Sequence, residues 1–368
     1  MAGAANTIRI CMVVAYRDPE YIRTRTLRRA LALLKGCVIY EALNTSAGIF
    51  RYFETLGKLL RIRFRYDPEI YILGFRGHEI FWPVRIVTLG RKLVFDAFMS
   101  PSESLIVERR SGRAGRVAGW LIRPLERACL RWSDACLTDT ELQKSFFRAR
   151  FSLPADAVNV VYVGCDTVPD QAPAVPGAAG ERPDRALQVL FYGTFLPLHG
   201  MDVILDACAL LRERPIEFRI IGGQGRALRD FTERCASLGL GTVRHEVWVP
   251  FEELQSRYIP EADLCLGGPF GGTPQARRVI TGKTFQFLAQ GKPAVVGKID
   301  EPAGFEDRVN CLLVEQADAN SLAAALQWAL DHREQLDAIG RRGRELYAAR
   351  FSPPRLSNQL ATALGIHG

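Results

Sequence analysis

Apolar residues follow two rhythms along the chain. Compact, mainly apolar runs are separated by stretches whose apolar residues recur three and four apart. In the second half the compact runs are LQVLFYG (187–193), FRIIGGQG (218–225), VRHEVWV (243–249), DLCLGG (263–268) and PAVVG (293–297). They read as strands, LQVLFYG and DLCLGG as buried ones. Helical spacing is carried by 199–214, 227–240, 252–262, the stretch from Thr281 to Gly291, and 321–332. In the first half the pattern predicts strands at 8–15, 37–41, 69–74, 93–97, 135–138 and 158–163, with helices at 22–35, 48–64, 118–132 and 140–150. Strands that alternate with helices build parallel, doubly wound sheets. The expected fold class is α/β: two Rossmann-like domains facing each other, with a nucleotide-type site in the cleft between them.

The two rhythms are interrupted once. TVPDQAPAVPGAAGERPDRA (167–186) is rich in Pro, Gly and Ala and has no apolar period, so it reads as a linker. The chain then divides into a first domain over 1–166, a second over 187–350 and a terminal segment over 351–368. A length of 368 residues suits two cores better than one.

Composition narrows the choices. No run of eighteen apolar residues free of charge exists, and Ile8–Ala15 reads as a first strand rather than a leader. Nine scattered cysteines form no C-x-x-C pair, which argues against a zinc site or a disulfide framework and for a reducing, cytoplasmic setting. Charge is uneven. Residues 1–168 hold 26 Lys and Arg against 16 Asp and Glu, a net +10; residues 169–368 hold 22 against 24, a net −2. A basic half calls for an acidic partner. A nucleic-acid partner is the weaker choice, because no recognition motif accompanies the charge and the glycine loops would be left unexplained.

Those loops sit at strand ends, where such sheets take their ligands. TGKTF (281–285) has the Gly-Lys-hydroxyl order of a P-loop, but the glycine needed five positions before Gly282 is Arg277, so no such loop forms. Thr281, Lys283 and Thr284 instead open a helix, whose N-terminal amides attract anions. On that helix Phe285, Leu288 and Ala289 share a core face, and Lys283, Gln286 and Gln290 share another. In FYGTFLPLHG, Gly193 ends a strand, and backbone amides with Thr194 or His199 can cradle a phosphate; a plain β-α turn accounts for the stretch equally well. IIGGQG brings Gly222, Gly223 and Gly225 to a strand end but fails the dinucleotide fingerprint, whose last position is Leu228. GGPFGGTPQARR (267–278) lets backbone at Phe270, Gly271, Gly272 and Thr273 approach a ligand and leads into Arg278. These residues are the candidate donor-binding set: a phosphate, belonging to a nucleotide, at a helix mouth.

In this order the motifs resemble family 4 of the GT-B glycosyltransferases, the group 1 glycosyltransferases. FYGTFLPLHGMDVILDACALL looks like the start of the family's donor domain. RIIGGQG, the 248–263 stretch and KTFQFLAQGKPAVV follow at the family's order and spacing. The resemblance spans the second domain and, more weakly, the first. It implies hexosyl transfer from a nucleotide-sugar, usually with retention, with no cofactor and no essential metal; the absence of a D-x-D motif agrees. The chain departs from the family at four places. Thr194 and His199 stand where an arginine and a lysine grip the diphosphate, and Arg278 and Gln286 stand where two glutamates are expected. The resemblance therefore points to a divergent subgroup. It also implies that 351–364 returns as a helix to the first domain, with Ser352 as cap and Pro353 in the first turn.

In the first domain, YRDPEYIRTR (16–25) resembles the loop over the donor phosphates, with Arg23 as the contact. GFRGHE (74–79) carries His78 and FDAFMS (95–100) carries Asp96. These three are the candidate catalytic residues, with a satisfied histidine and a helix or turn cap as the plain readings of the last two. Residues 49–65 interleave aromatics with basic residues, Phe50, Phe53, Leu56, Leu60 and Phe64 lining one side, and RRSGRAGR (109–116) adds a basic loop. An amphipathic helix packed on its sheet and an interfacial helix on an anionic membrane surface both fit this pattern. The expected partners are a nucleotide-sugar donor, a lipid-linked or saccharide acceptor and the inner face of a membrane, in cell-surface polysaccharide or glycolipid synthesis. A nucleotide-sugar-binding or epimerising relative without transferase activity is the alternative.

Overall fold

The computed structural model describes residues 7–107, 112–165 and 185–366. The chain splits into two compact units, Met1–Asp166 with Ser352–Gly368, and Thr167–Phe351. The linker assigned to 167–186 lies outside the described residues as far as Asp184, and so do residues 109–111 of the basic loop.

The first unit is built on six parallel strands: β1 (Ile8–Val14), β2 (Cys37–Leu43), β3 (Ile70–Leu73), β4 (Lys92–Asp96), β5 (Ala135–Thr138) and β6 (Val158–Val160). Their spatial order is β2-β1-β3-β4-β5-β6. Its helices are α1 (Ile22–Ala32), α2 (Phe50–Tyr66), α3 (Phe81–Val87), α4 (Pro101–Val107), α5 (Gly112–Trp132) and α6 (Glu141–Phe151). Right-handed crossovers put α1 on one face of this sheet and α2, α3 and α5 on the other. The core is the doubly buried strand interior, where Cys11, Val13, Tyr71, Leu73, Leu93 and Phe95 are closed from solvent.

The second unit repeats the principle with β7 (Leu187–Gly193), β8 (Ile216–Gly222), β9 (Val243–Glu246), β10 (Leu264–Leu266), β11 (Ala294–Gly297) and β12 (Leu312–Val314). The order is β12-β11-β10-β7-β8-β9, all parallel. Read from β9, this is the 3-2-1-4-5-6 order of a nucleotide-binding sheet, and the strand order reverses between β7 and β10. Around it lie α7 (Met201–Leu210), α8 (Gly225–Leu238), α9 (Phe251–Glu253) and α10 (Ile259–Glu261), the last two continuous through a π-helical turn. They are followed by α11 (Gly282–Ala289), α12 (Ala319–Asp331) and α13 (Arg333–Arg350).

The last helix, α14 (Pro353–Leu364), packs on α1 in the first unit. Gln359 Oε1 accepts from the Tyr162 amide at 3.2 Å, and Lys92 Nζ donates to the Leu364 carbonyl at 2.9 Å. Pro353 stands in its first turn, but Ser352 makes no side-chain capping bond. The fixed φ of the proline sets the helix start without it.

Several element boundaries differ from the expectation. The strand expected over 243–249 stops at Glu246, and the helix expected over 118–132 starts at Gly112. The apolar stripe of α2 divides: Leu56 packs on the core, whereas Phe50, Phe53, Leu60 and Phe64 are exposed.

Candidate nucleotide site and the buried polar groups of the first unit

In the second unit, three loops meet at the carboxyl ends of β7, β8 and β10. Gly222 has φ of +119°, and a Cβ there would lie 1.9 Å from the Gly193 carbonyl oxygen. Only glycine fits, and the space it leaves lets the Gly223 amide donate to that same oxygen at 3.1 Å. The loop after β10 closes on the loop after β7 in the same way. The Gly271 amide donates to the Leu198 carbonyl at 3.0 Å, and a Cβ on Gly271 would stand 2.2 Å from the Pro197 oxygen. The glycine-rich stretch is thus a packed floor, with Phe270 fully buried beneath it.

The helix mouth opens beside this floor. Thr281 does not cap α11: its hydroxyl donates instead to the Gly267 carbonyl at 2.5 Å and lies 3.0 Å from the Thr284 hydroxyl. The first amides of the helix therefore have no side-chain acceptor from the cap residue. Lys283, in the first turn, is buried and forms no ion pair with any described residue. Its Nζ lies 4.8 Å from the centroid of the Phe191 ring, and burial carries its pKa from 10.5 down to about 7. An amine without a carboxylate, over a ring and at a helix N-terminus, favours a nearby anion in electrostatic terms.

His199 completes the group. A Cβ on Gly193 would meet His199 Cε1 at 3.0 Å and Lys283 Cε at 3.6 Å, so the three residues converge. The Leu196 amide donates to His199 Nδ1 at 3.2 Å, which places the proton of the neutral ring on Nε2. Burial, and then the neighbouring Lys283, hold the His199 pKa well below its ordinary value. One turn along the helix, Gln286 Oε1 accepts from the Tyr192 hydroxyl. Thr273 Oγ1 is engaged by the Ala276 amide at 3.1 Å.

The candidate set is therefore brought together in part. Gly193, His199, Gly222, Gly223, Gly271, Thr281, Lys283, Thr284 and Gln286 form one connected cluster. Thr194 and Gly272 are exposed, and Gly225 has open space around it at the start of α8. Arg278 is half-buried in the turn before α11. Tyr192 and Phe191 were not singled out from the sequence, although a tyrosine in an otherwise apolar strand, next to the terminal glycine, is a readable signal.

In the first unit, Arg23 and Asp96 are both fully buried and satisfy each other. Arg23 Nη2 lies 2.8 Å from Asp96 Oδ1, Nε lies 3.0 Å from the same oxygen, and Nη1 donates to the Val161 carbonyl at 2.5 Å. Burial pushes the Asp96 carboxyl up, and the guanidinium pulls it back. The pair ties α1 to the ends of β4 and β6 and has no free face for a substrate. This corrects the expectation of a donor contact at Arg23: from the first turn of α1 its guanidinium points inward to Asp96. His78, beyond the end of β3, packs edge-on against Phe95 at 4.7 Å. Both its ring nitrogens are shielded and have no hydrogen-bond partner, and burial lowers its pKa to about 4. Among the described residues, no group of three or more His, Cys, Asp and Glu side chains is placed to hold a metal ion.

Residues 186–332 match the family model described as glycosyl transferases group 1. No curated protein matches the chain in sequence. Among solved structures, the chain is similar to HepE of Anabaena in complex with UDP and glucose, at 14% identity and a TM-score of 0.71, covering 97% of this chain and 99% of that one. It is similar to sucrose-phosphate synthase of Thermosynechococcus elongatus, at 18% identity and a TM-score of 0.70, covering 97% and 98%. The lipopolysaccharide outer core galactosyltransferase WaaB, in its apo form, follows at 14% and 0.61, covering 97% and 99%. The fold is thus that of the GT-B glycosyltransferases, with two Rossmann-like domains, and the resemblance read from the glycine loops and KTFQFLAQGKPAVV coincides with the family match.

Proposed function

We propose, for a chain whose residues 186–332 match the group 1 glycosyltransferases, that it moves a hexosyl group from a nucleotide-sugar to a saccharide or lipid-linked acceptor. The observation that carries the reading is Lys283, a buried amine without a carboxylate at the mouth of α11, beside His199 and Gly193. The neighbouring HepE complex with UDP-glucose supports a nucleotide-sugar as donor, and WaaB, a lipopolysaccharide galactosyltransferase, supports a cell-surface glycan as product.

In this reading the donor diphosphate lies over the amides of α11 and meets Lys283 and His199 Nε2–H. The bond from the anomeric carbon to the diphosphate oxygen breaks, the acceptor oxygen bonds to that carbon, and the acceptor proton passes to the departing diphosphate. The protein's part is charge stabilisation of the leaving group and positioning of the acceptor. Retention needs no protein nucleophile here, and the residues around Lys283 provide none. Gln286, held by Tyr192, presents an amide to a ribose diol. Within the first unit, His78, neutral and with both nitrogens unspent, is the candidate polar group, while Arg23 and Asp96 tie α1 to the strand ends.

A second reading keeps the nucleotide-sugar and drops the transfer: binding or epimerisation. It is favoured by Arg278 and Gln286 at the places where the resemblance expects carboxylates. A panel of nucleotide-sugars with mass-spectrometric product analysis separates the two. Release of a nucleoside diphosphate with a glycosylated acceptor supports transfer, an isomeric nucleotide-sugar supports epimerisation, and no binding to any member of the panel overturns both.

A further inference from the structure

The second unit, with its candidate nucleotide site, leaves one feature of the first unit unused. Helix α5 is amphipathic the wrong way round for a helix that only covers a sheet. Val117, Trp120, Leu121 and Leu125 recur three and four apart and all face solvent, Trp120 at 69% and Leu125 at 60% exposure. A packed helix turns such a stripe inward. The stripe does not stand alone. Helix α3 packs between α2 and α5, and Trp82 of α3 meets Trp132 at the end of α5 edge-on at 5.9 Å. On α2, Phe53 and Phe64 are 67% and 85% exposed. Large aromatic side chains left in water on three neighbouring helices of one sheet face mark a contact surface.

Charge tells what the surface meets. Helices α2, α3 and α5 hold eleven Lys and Arg against two Glu, so nearly the whole excess of the basic half sits on this face. Neither acid offsets the arginines of α5. Glu126 is buried and accepts from the Ser102 amide, and Glu54 is spent on Lys58 and the Thr45–Ser46 turn. Arg116, Arg127 and Arg131 of α5 form no ion pair with any described residue, and Arg61 and Arg65 flank the α2 aromatics. Four cations of these helices are tied elsewhere: Arg51 to Glu79, Lys58 to Glu54, Arg63 to Asp67 and Arg85 to Asp134.

From this juxtaposition we infer that the α2–α3–α5 face docks on an anionic lipid bilayer, with Trp120, Leu121 and Leu125 entering the headgroup region and the arginines meeting lipid phosphates. A protein surface would need acidic side chains opposite a broad arginine rim. A bilayer presents anions in two dimensions over an apolar interior, which is the pattern this face complements. No helix among the described residues is long and apolar enough to cross a membrane, so the contact is peripheral. The inference stands on the first unit alone and does not depend on the activity proposed for the second.

The test is co-sedimentation of the full chain with vesicles of phosphatidylcholine alone and of phosphatidylcholine with phosphatidylglycerol, at low and high salt. Circular dichroism melts serve as the folding control. Wild type should bind the anionic vesicles and not the neutral ones, and salt should weaken it. Replacing Arg116, Arg127 and Arg131 by Gln should cost on the order of a hundredfold in affinity if all three face lipid. The combined W120S, L121S and L125S variant should lose binding while keeping its melt, since all three side chains are already in water. Equal binding to both vesicles, or binding undiminished in both variants, overturns the proposal. So does a concentration-dependent dimer in light scattering that W120S abolishes without any vesicle binding, which would assign the face to a second copy of the chain.

Discussion

Replacing Lys283 by Met should stabilise the protein while removing its grip on phosphate. In the open chain the amine titrates near 10.5, and in the fold at about 7. That gap is worth up to about 5 kcal/mol, set against the folded state wherever the amine is charged in both states, below about pH 7. The sign follows from proton counts. Between pH 7 and 10.5 the unfolded chain binds more protons than the folded one, so stability rises with pH across that window and the penalty fades. Lys283→Met keeps the volume over the Phe191 ring and deletes the charge. At pH 6 the variant should therefore exceed wild type by a few kcal/mol, and the difference should fall to about half near pH 9. Urea melts of both proteins at the two pH values measure it, and other titrating groups cancel in the comparison. The same linkage predicts that a nucleoside diphosphate, by returning a counter-charge to the amine, takes up a proton on binding near pH 8. Calorimetry in two buffers of different ionisation enthalpy reads that proton directly. A variant less stable than wild type at pH 6, or a difference that does not change with pH, would refute the reasoning.

Three further outcomes follow from the geometry. Arg23→Met should cost about 3–5 kcal/mol in urea melts by leaving the Asp96 carboxylate buried and alone, and adding Asp96→Leu should recover most of the loss. Gly222→Ala puts a Cβ within 1.9 Å of the Gly193 oxygen at a φ that side chains avoid; it should lower the melting temperature and abolish stabilisation by nucleoside diphosphates in the same scan. Gln286→Glu places a carboxylate one helical turn from Lys283, so the lysine should titrate higher and the pH dependence that separates wild type from Lys283→Met should shrink.

The parts of this fold that were legible in the sequence share one physical cause. Strands such as LQVLFYG and PAVVG are apolar at nearly every position and end at glycine, so they stand out without an alignment. Helix α13 shows the opposite. It is eighteen residues long, yet REQLDAIGRRGRELYAAR reads as polar. Its buried face relies on Gly340 and Gly343, which pack because a Cβ would strike the Gly291 oxygen at 2.1 Å and the Asn310 oxygen at 2.8 Å. Close backbone approach leaves no apolar signature. Strand β12, three residues long, is too short to carry a period. In the site, residue types were readable but partners were not. The convergence of His199 on Lys283 joins two loops through the β7–β10 reversal, and nothing local announces it. Arg23 stands out by the resemblance of its segment and Asp96 as a carboxylate at a strand end, but a sequence does not say that two such groups satisfy each other.

The departures from the family pattern then fall into one electrostatic scheme. With an arginine and a lysine in the first loop, and glutamates before and on α11, the mouth of the helix would hold charges of both signs before any ligand arrived. Here three of the four departures, Thr194, His199 and Gln286, carry no charge at neutral pH: His199 is held neutral by burial and by Lys283, and Gln286 is an amide, while the fourth puts the cation Arg278 in the turn before α11 where a glutamate is expected. Lys283 itself sits at the edge of neutrality because burial disfavours its charge. A glutamate in place of Gln286 would hold the amine charged and would also repel the diphosphate one turn away. The glutamine removes both effects and leaves the Tyr192 hydroxyl bond intact. Binding of a dianion then completes the charge on Lys283 instead of competing for it, and the anion gains a full cation in a site that excludes water. The cost is that affinity becomes tied to proton uptake, so it should fall as pH rises above about 7, in the direction opposite to the stability of the empty protein.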